Sequence, residues 1–471
     1  MRDIPETSLN IAGARAADLK GQWSWALFQW ARDFGGSIII VFIFAPYFTT
    51  SVIGDPIKGQ ALWGHLNAMA GVFTGLSGPL LGAIADTTGR RKPWLAVFVA
   101  VMSLTSILLW WCRPGGVGLG VTLSAAIVVL YTIAYNYSDI FQSSMLAIIS
   151  PARRIGFLSG LGVALAQAST LLGLAILLYA FMLPGEVNWS LIPLRPLFGI
   201  DPAQYENSRI SGPFSAIWLL IFSLPLFLFT PDGTRIRGVS AWGAITAGLR
   251  QLRDTASELR HYRNVAVFLG ARICFNDAQV AIMIFSSIYA AGIFKWSALE
   301  LTCYALILSA VSIGGSLLGG WLCDRFGAKP AIITGISAAA VGLFLAISIT
   351  PNSMFFFLHV DGAATTGLPI FRTVPGLVYM VISVATSTCV IAVFGTSRTM
   401  MARLAPIDKL SQFFGLYALS GSITAFLGPE LVASFTALLH SQRAGMASLL
   451  LLLGVGLVGM CFVREERAVR G

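Results

Sequence analysis

The sequence predicts an all-α membrane protein in which twelve transmembrane helices form two pseudo-symmetric six-helix bundles. Of its 471 residues, 56% are hydrophobic and only 11% are charged, and the mean hydropathy is +0.78. About twelve apolar runs approach the roughly 20 residues that a helix needs to cross a bilayer. Sequence motifs of the first half return in the same order in the second. A large soluble helical protein is disfavoured, because the apolar runs are too long and carry too few charges.

The apolar runs and the turns between them define the elements in order. We expect helices at 23–49, 61–84, 93–112, 118–148, 156–183, 213–230, 264–292, 298–322, 330–350, 375–401, 410–439 and 443–463. The domains are then a cytoplasmic tail (1–22), an N-terminal six-helix bundle (23–230), a cytoplasmic linker (231–263), a C-terminal six-helix bundle (264–463) and a cytoplasmic tail (464–471). The linker has amphipathic spacing, which predicts that it lies on the inner membrane surface.

The distribution of positive charge predicts the orientation of these helices. With residue 1 in the cytoplasm, 22 of the 31 lysines and arginines fall in inner loops and tails and 7 in outer loops. This bias places both termini in the cytoplasm, as in a multi-pass protein of a bacterial inner membrane. It also explains the net charge of +10 without a nucleic-acid partner. The polar N-terminus has no apolar core followed by a cleavage site, so we expect the first helix to be retained.

Two loops carry the internal repeat. The first contains Gly82, Asp86 and Gly89, followed by Arg90 and Arg91. The second repeats the pattern 238 residues later, at positions 320–329. Its matching residues are Gly320, Asp324 and Gly327. A second anchor, a proline followed nine residues later by a glycine, recurs at an offset of 255, and Asp33 and Asp277 align at an offset of 244. Three anchors in one order favour duplication of a six-helix unit.

Polar and charged residues inside the predicted helices are the candidate functional residues, because a charge in lipid is costly unless it faces a partner or water. They cluster on the first, fourth, seventh and tenth helices, which line the central cavity in a two-half transporter. The candidates for substrate binding are Trp30, Arg32, Asn136, Tyr137, Gln142, Arg272, Asn276, Gln279 and Thr386. The candidates for proton or ion coupling are Asp33, Asp139, Asp277 and, near an outer helix end, Glu430.

The two buried arginines are the predicted anchors for an anionic group, since a guanidinium binds a carboxylate or phosphate in a bidentate manner. Arg32 and Asp33 are adjacent, and their side chains diverge by about 100° on a helix, so we expect them to face different neighbours. The alternative is that these charges only form internal salt bridges, such as Arg32 with Asp139 or Arg272 with Asp33.

Other classes of site have no supporting pattern. The six cysteines and four histidines lack metal-ligand spacing, and there is no phosphate-binding loop. We therefore expect no enzyme activity, no metal and no cofactor. The expected partners are a small-molecule substrate, the lipid bilayer and a coupling ion, most simply H⁺, and the expected state is a monomer.

The repeated loops resemble the inter-helix motif of the major facilitator superfamily. That resemblance implies a gating latch in which Asp86 meets the helix start near residues 410–413, with Asp324 and residues 155–157 as its mirror. Gly82, Gly89, Arg90, Arg91, Gly320 and Gly327 complete the latch. An anion at a helix N-terminus is physically favourable.

A second resemblance lies in the stretches 397–406, 413–421 and 426–429, with support from 271–277. They are similar to the autophagy-related vacuolar effluxer family and its bacterial relatives, which implies amino acids or other small solutes as substrates. The family usually shows an acidic-Trp-Ala-Asn pattern in the first helix, and here the stretch is Gln29-Trp30-Ala31-Arg32-Asp33. The turn at 90–94 is similar to that of sugar–cation symporters.

We therefore expect a secondary active transporter that moves a small polar organic solute by alternating access and is coupled to protons. Two alternatives stay open at this point. One is a sugar or glycoside–cation symporter, and the other is a membrane assembly factor or receptor that has the same fold but transports nothing. A channel is disfavoured, because no ring of repeated polar positions lines one face.

Overall fold

The computed structural model describes residues 16–88, 90–151, 154–185, 191–232, 262–360, 366–368, 370–404, 416–417, 420–421 and 424–464. The chain divides into two compact units. Unit 1 contains Met1–Phe44 and Leu76–Leu252, and unit 2 contains Ala45–Gly75 and Arg253–Gly471. Segment 45–75, which precedes most of unit 1 in sequence, thus packs with unit 2. The predicted amphipathic part of the linker lies outside the described residues.

Unit 1 is built from long apolar helices. They are α1 (Leu19–Gly36), the end of α2 (Pro56–Thr88), α3 (Lys92–Leu108), α4 (Gly120–Ile149), α5 (Ile155–Leu177) and α6 (Ser211–Phe229). Helix α1 begins where the polar tail ends, because Asp18 caps it by accepting the Gly21 N–H at 2.8 Å. It packs between α5 and α6, and α3 packs between α4 and α6. Short 3₁₀ turns and a helix at Glu206–Arg209 lead into α6.

Unit 2 has the same kind of architecture. Its helices are α7 (Arg263–Ile293), α8 (Ala298–Phe326), α9 (Ala328–Ile347), α10 (Val374–Leu404), α11 (Leu427–Leu439) and α12 (Gln442–Phe462), and a hairpin of β1 (Ser353–Met354) and β2 (Leu358–His359) follows α9. Helix α10 packs against α8 and α9. The approach to α8 is close, since a Cβ on Gly315 or Gly319 would lie 2.8 or 2.6 Å from a carbonyl oxygen of α10.

Two predicted helices are interrupted. The first, predicted without a break over 23–49, ends as an α-helix at Gly36 and continues through π-helical segments at Ser37–Phe42 and Phe48–Val52. Pro46 lies between these segments and lacks the N–H that a regular helix needs, which accounts for the irregular turns. The second, predicted over 410–439, has a turn at 424–426 before α11 begins. Residues 410–415, 418–419 and 422–423 of that prediction lie outside the described part.

The described residues contain ten helices that are long and apolar enough to cross a membrane. Helix α2, with 33 residues, and the shorter α11 complete the predicted order of elements. The chain is therefore a multi-pass helical membrane protein. The count of twelve spans stays a prediction, because part of the eleventh lies outside the described residues.

Matching contacts tie together one helix pair in each unit. Lys92 Nζ at the start of α3 donates to the Phe227 carbonyl at the end of α6 at 3.0 Å, and Lys329 Nζ at the start of α9 donates to the Cys461 carbonyl at the end of α12 at 2.9 Å. The lysines are 237 residues apart and the acceptors 234. A cation at a helix C-terminus satisfies a free carbonyl and the helix dipole.

The opposite ends of the same helix pairs are joined in the same way. Arg209 Nε donates to the Trp110 carbonyl at 2.7 Å, and Arg443 Nε donates to the Ile347 carbonyl at 2.9 Å. Each guanidinium also lies over an aromatic ring, that of Trp110 or of Phe356. These four contacts repeat with the spacing of the sequence motifs and support the duplication independently of them.

Candidate functional site

In unit 1, the predicted charges of α1 and α4 form one cluster around Arg32. The Arg32 guanidinium contacts the Asp33 carboxylate at 2.6 Å through one terminal nitrogen and the Asp139 carboxylate at 2.7 Å through the other. The second nitrogen also donates to Gln142 Oε1 at 3.2 Å. Tyr135 donates its hydroxyl hydrogen to Asp33 at 3.1 Å. The structure therefore contains the Arg32–Asp139 salt bridge that the alternative interpretation predicts.

Arg32 and Asp33 both reach α4, which differs from the expectation that they face different neighbours. The long side chain of Arg32 reaches Asp139 of α4, although it leaves α1 in a different direction from that of Asp33. The shorter Asp33 side chain accepts a hydrogen bond from Tyr135 of the same helix α4. The helices can approach here because a Cβ on Gly36 would lie 2.5 Å from the Tyr135 ring. This small residue, one turn after Asp33, thus helps to determine how its carboxylate is held.

This arginine-centred cluster carries an excess of negative charge. One guanidinium faces two carboxylates, so the three ionised groups sum to a single negative charge. The Arg32 side chain is 4% exposed, whereas that of Asp139 is 51% exposed. The arginine is thus enclosed by its own partners, and the accessible charge of the cluster is a carboxylate.

The other unit 1 candidates have packing roles in the structure. Gln142 donates to the Trp25 carbonyl at 3.1 Å and joins α4 to α1, and the Trp30 ring stacks on Trp218 at 5.8 Å. The Tyr137 hydroxyl hydrogen-bonds to that of Ser77. Asn136 is half-buried. Gln142 and Trp30 therefore hold α1 in place, whether or not they also contact a substrate.

In unit 2, the hydrogen-bond acceptors of Arg272 of α7 among the described residues are neutral groups. Its side chain donates to the Tyr417 carbonyl at 2.7 Å and to the Ser420 hydroxyl at 2.6 Å. The guanidinium carbon lies 3.6 Å from the centroid of the Tyr417 ring. Arg272 is only 7% exposed, and its Nε has no hydrogen-bond partner among the described residues. The charge is thus buried against an aromatic face without a carboxylate in ionic contact in that part of the chain.

Asp277 lies on a different face of α7 and meets the interrupted eleventh helix. Its carboxylate accepts the backbone N–H of Leu427 at 3.2 Å, at the first residue of α11. A carboxylate there offsets the partial positive charge of the helix N-terminus. The close approach is allowed by Gly428, where a Cβ would lie 2.6 Å from the Asp277 carbonyl oxygen. Asp277 therefore stabilises the helix break.

The remaining candidates of unit 2 are buried on α7 and α10. Asn276 shares the face of Arg272 and is nearly buried, and Gln279 is fully buried with both amide atoms unpaired among the described residues. Thr386 donates to the Ile382 carbonyl of its own helix at 2.8 Å and packs against Gly342 of α9. The Gln279 amide thus has no hydrogen-bond partner among the described residues, whereas the Thr386 hydroxyl is hydrogen-bonded within its own helix.

Glu430 belongs to a second polar group, at the outer end of α11 in the predicted orientation. Its carboxylate contacts His65 Nδ1 at 3.0 Å and accepts the Ser434 hydroxyl hydrogen at 2.9 Å. Nearby, the buried Gln60 side chain donates to the Thr436 hydroxyl at 2.9 Å. These contacts attach the first part of α2 to α11 within unit 2.

The latch residues are only partly described. Gly82 and Asp86 lie in α2, but the surroundings of both residues, and Gly89 itself, fall outside the described part of the chain. Arg90 is exposed, as are Gly320 and Asp324, and Gly327 ends α8 with a φ of 100°. Arg91 is held within unit 1, since its N–H donates to Asp232 at 2.8 Å and its Nε donates to Ser144 at 2.8 Å. The latch itself stays a prediction.

Several partners were not identified from the sequence. Tyr135, Tyr417 and Ser420 complete the two arginine clusters, and His65 pairs with Glu430. Tyr135 has a weak signal, because it lies four residues before Asp139 on one face of a helix. The others come from distant segments, and no spacing rule connects them. Among the described residues, no group of three or more His, Cys, Asp or Glu side chains is placed to hold a metal ion.

Comparison with known proteins agrees with this architecture. Residues 151–471 match the family model described as vacuole effluxer Atg22 like. The chain is 21% identical over 453 residues to YxiO of Bacillus subtilis (strain 168), an uncharacterised MFS-type transporter, with 95% of each chain covered. It is 24% identical over 320 residues to autophagy-related protein 22 of Yarrowia lipolytica, with 63% of this chain and 48% of the fungal protein covered.

Solved structures show the same fold. The D-xylose-proton symporter matches with a TM-score of 0.63 over 94% of this chain and 96% of the symporter. A point mutant of the nucleoside transporter NupG matches with a TM-score of 0.62 over 94% of this chain and 98% of that protein. Both are 14% identical to this chain, so they establish the major facilitator fold and not a substrate.

Proposed function

Starting from the fact that the chain belongs to the Atg22-like vacuole effluxer family, we propose that it exports or imports a small polar organic solute that carries a carboxylate or a similar anionic group. As a member of a transporter family with the major facilitator fold, it is a secondary transporter and not an enzyme. The proposed substrate is an amino acid or another small zwitterion, and the proposed coupling ion is the proton.

The observation that carries the proposal is the environment of Arg272. A buried guanidinium costs free energy unless it is paired, and Arg272 has only neutral partners and an aromatic face among the described residues. Its Nε has no partner there. A substrate carboxylate would supply the missing acceptor and the missing negative charge. Asn276, four residues on along the same face, would add a neutral donor.

The arginine-centred cluster of unit 1 has the opposite property and supports coupling to a cation. Arg32 is fully occupied by Asp33, Asp139 and Gln142, so it is a poor anchor for a second anion. The excess carboxylate charge at Asp139 would be neutralised by a proton. We therefore assign Arg272 to the anionic part of the substrate and the Asp33–Asp139 pair to the proton. Arg32 positions both carboxylates.

Flux measurements on purified protein test this assignment. A library of amino acids, small zwitterions, organic acids and sugars is first screened by thermal shift, and the hits are tested for uptake into proteoliposomes with and without a pH gradient. We expect a hit that carries a carboxylate, and uptake that a pH gradient increases. The Arg272→Gln variant should lose binding of that hit. A matched control is Arg263→Gln, which removes an exposed arginine at the start of α7 and outside both repeated loops.

Distinct outcomes would contradict distinct parts of the proposal. Full activity of Arg272→Gln would remove Arg272 from the site. Flux that is the same at all pH gradients would reject proton coupling. Hits restricted to neutral sugars would favour the sugar-symporter alternative, and binding without any flux would favour a receptor or assembly factor.

A further inference from the structure

Unit 1 has a surface groove at the end where α1 begins and α6 ends, made of two adjoining cavities. The larger has a volume of about 790 Å³ and reaches Asp18, Gln22 and Arg154. The smaller has a volume of about 480 Å³ and follows α1 and α6 along Trp23, Leu27 and Pro225. Leu19 and Phe229 line both cavities, so the two are neighbours, and together they are here called the α1–α6 groove.

The polar end of this groove offers positive charge. Arg154 is exposed and has no ion-pair partner among the described residues. Lys20 lies on the wall of the smaller cavity, with its ammonium 4.3 Å from the centroid of the Phe229 ring. The one carboxylate that lines the described groove, Asp18, already accepts the Gly21 N–H as the cap of α1. Asp18 keeps its negative charge, but Lys20 and Arg154 outnumber it, so the ionised side chains that line the described groove sum to a net charge of +1.

The other end of the groove is apolar and faces outward. Trp23 is 53% exposed and Leu19 is 65% exposed, although most residues of their helix are buried. An exposed indole near the end of a membrane helix is typical of the interface between headgroups and acyl chains. Leu27 and Pro225 continue the apolar surface toward the middle of the helices.

We propose that the α1–α6 groove binds one anionic phospholipid. Its phosphate lies between Lys20 and Arg154, and one acyl chain runs along Trp23, Leu27 and Pro225. The order of cations followed by apolar side chains matches the order of groups in a phospholipid. A free phosphate would leave the apolar part of the groove unused. This end of α1 is the predicted cytoplasmic end, where anionic lipids attract basic side chains.

Retention of lipid by the purified protein tests the proposal. The full chain is exchanged into nanodiscs that contain equal amounts of phosphatidylglycerol and phosphatidylcholine, and the lipids kept after release into detergent are counted by native mass spectrometry. We expect one retained phosphatidylglycerol per chain. Because a cation near an anionic headgroup contributes about 1 kcal/mol, Lys20→Gln and Arg154→Gln should each lower the preference for phosphatidylglycerol about fivefold. Arg263→Gln, which removes an exposed arginine at the start of α7, is the matched control and should leave the preference unchanged.

The apolar part of the groove has its own test. Trp23→Ser should reduce retention of both lipids, because it removes the acyl-chain contact and keeps both cations. Inorganic phosphate or glycerol 3-phosphate should not displace the lipid. Equal retention by the wild type and the Lys20→Gln/Arg154→Gln double variant would overturn the proposal. So would displacement by free phosphate, which would make the groove a site for soluble anions.

Discussion

Arg32 and Arg272 lie on α1 and α7, the first long helix of each predicted half, and have different surroundings. They are 240 residues apart, close to the 237 residues that separate Lys92 and Lys329. Arg32 contacts two carboxylates, whereas Arg272 contacts a carbonyl, a hydroxyl and an aromatic ring. Each predicted half thus has a buried arginine on its first helix, and the partners of the two arginines differ.

The difference between the partners of the two arginines indicates which charge each unit can offer to a ligand. In unit 1, the positive charge is neutralised internally and a carboxylate remains accessible. In unit 2, the guanidinium is buried, and no carboxylate among the described residues is in direct ionic contact with it. The cost of burying an unpaired charge is several kcal/mol, and a bound substrate would offset part of it. The two arginines should therefore respond differently to the same substitution.

Arg272→Gln should have the largest effect, and the effect should be on binding. Removal of one partner of a buried charged contact costs about 2 kcal/mol or more, which is roughly a 30-fold loss of affinity or greater. Stability should change by only about 1 kcal/mol, since the Tyr417 carbonyl and the Ser420 hydroxyl left behind are neutral. Isothermal titration and thermal unfolding of the same preparation measure both quantities. A large loss of stability without a loss of affinity would make Arg272 a structural residue.

Arg32→Gln should have the next largest effect, and here the effect should be on stability. The substitution leaves Asp33 and Asp139 as two neighbouring carboxylates without a cation, which costs about 3 kcal/mol for a buried pair that loses one partner. The double variant Arg32→Gln/Asp33→Asn should recover part of this loss, because one carboxylate charge is also removed. Reversible unfolding in mild detergent measures the free energies. If Arg32→Gln and Arg272→Gln destabilise equally, the proposed difference between the two arginines is wrong.

Asp139→Asn should leave stability nearly unchanged and alter coupling. The Asp139 side chain is half exposed, and its removal leaves Arg32 paired with Asp33. We expect substrate exchange across the membrane to continue, while accumulation driven by a pH gradient falls to the level of passive exchange. Counterflow and gradient-driven uptake in the same proteoliposomes separate these two activities. Gradient-driven accumulation at the wild-type level would exclude Asp139 from the proton path.

The sequence predicted much of the fold because the relevant signals are local. Apolar runs and the repeated Gly-Asp-Gly loops each depend on neighbouring residues, and they identified the helical membrane fold. The orientation inferred from the distribution of positive charge stays a prediction. The interruption near Pro46 was missed, because the apolar run continues through it. Hydropathy records which residues prefer lipid and does not record how the backbone turns.

The candidate residues could be identified from the sequence, but their partners could not. A charge within an apolar run is visible in one segment, as for Arg32 and Arg272. Whether that charge meets a carboxylate or a tyrosine depends on a helix more than 100 residues away. Asp277 shows the same limit, since its role at the start of α11 depends on a helix break that only the structure shows. The spacing of residues within one helix shows which side chains share a face of that helix, but it does not show which residues of other helices they contact.

The smallest predicted effect concerns the lysine contacts that occur in both units, those of Lys92 and Lys329. Lys92→Met and Lys329→Met each remove a lysine that donates to the last carbonyls of the paired helix. A cation at a helix C-terminus contributes about 0.3–1 kcal/mol, so both variants should lose this amount and keep full transport. The two losses should be similar in the unfolding experiment used for Arg32→Gln, because the two hydrogen bonds have nearly the same length and both join a helix start to a helix end. A loss in only one unit would show that these contacts are not equivalent despite their spacing, and they would no longer support the duplication of a six-helix unit.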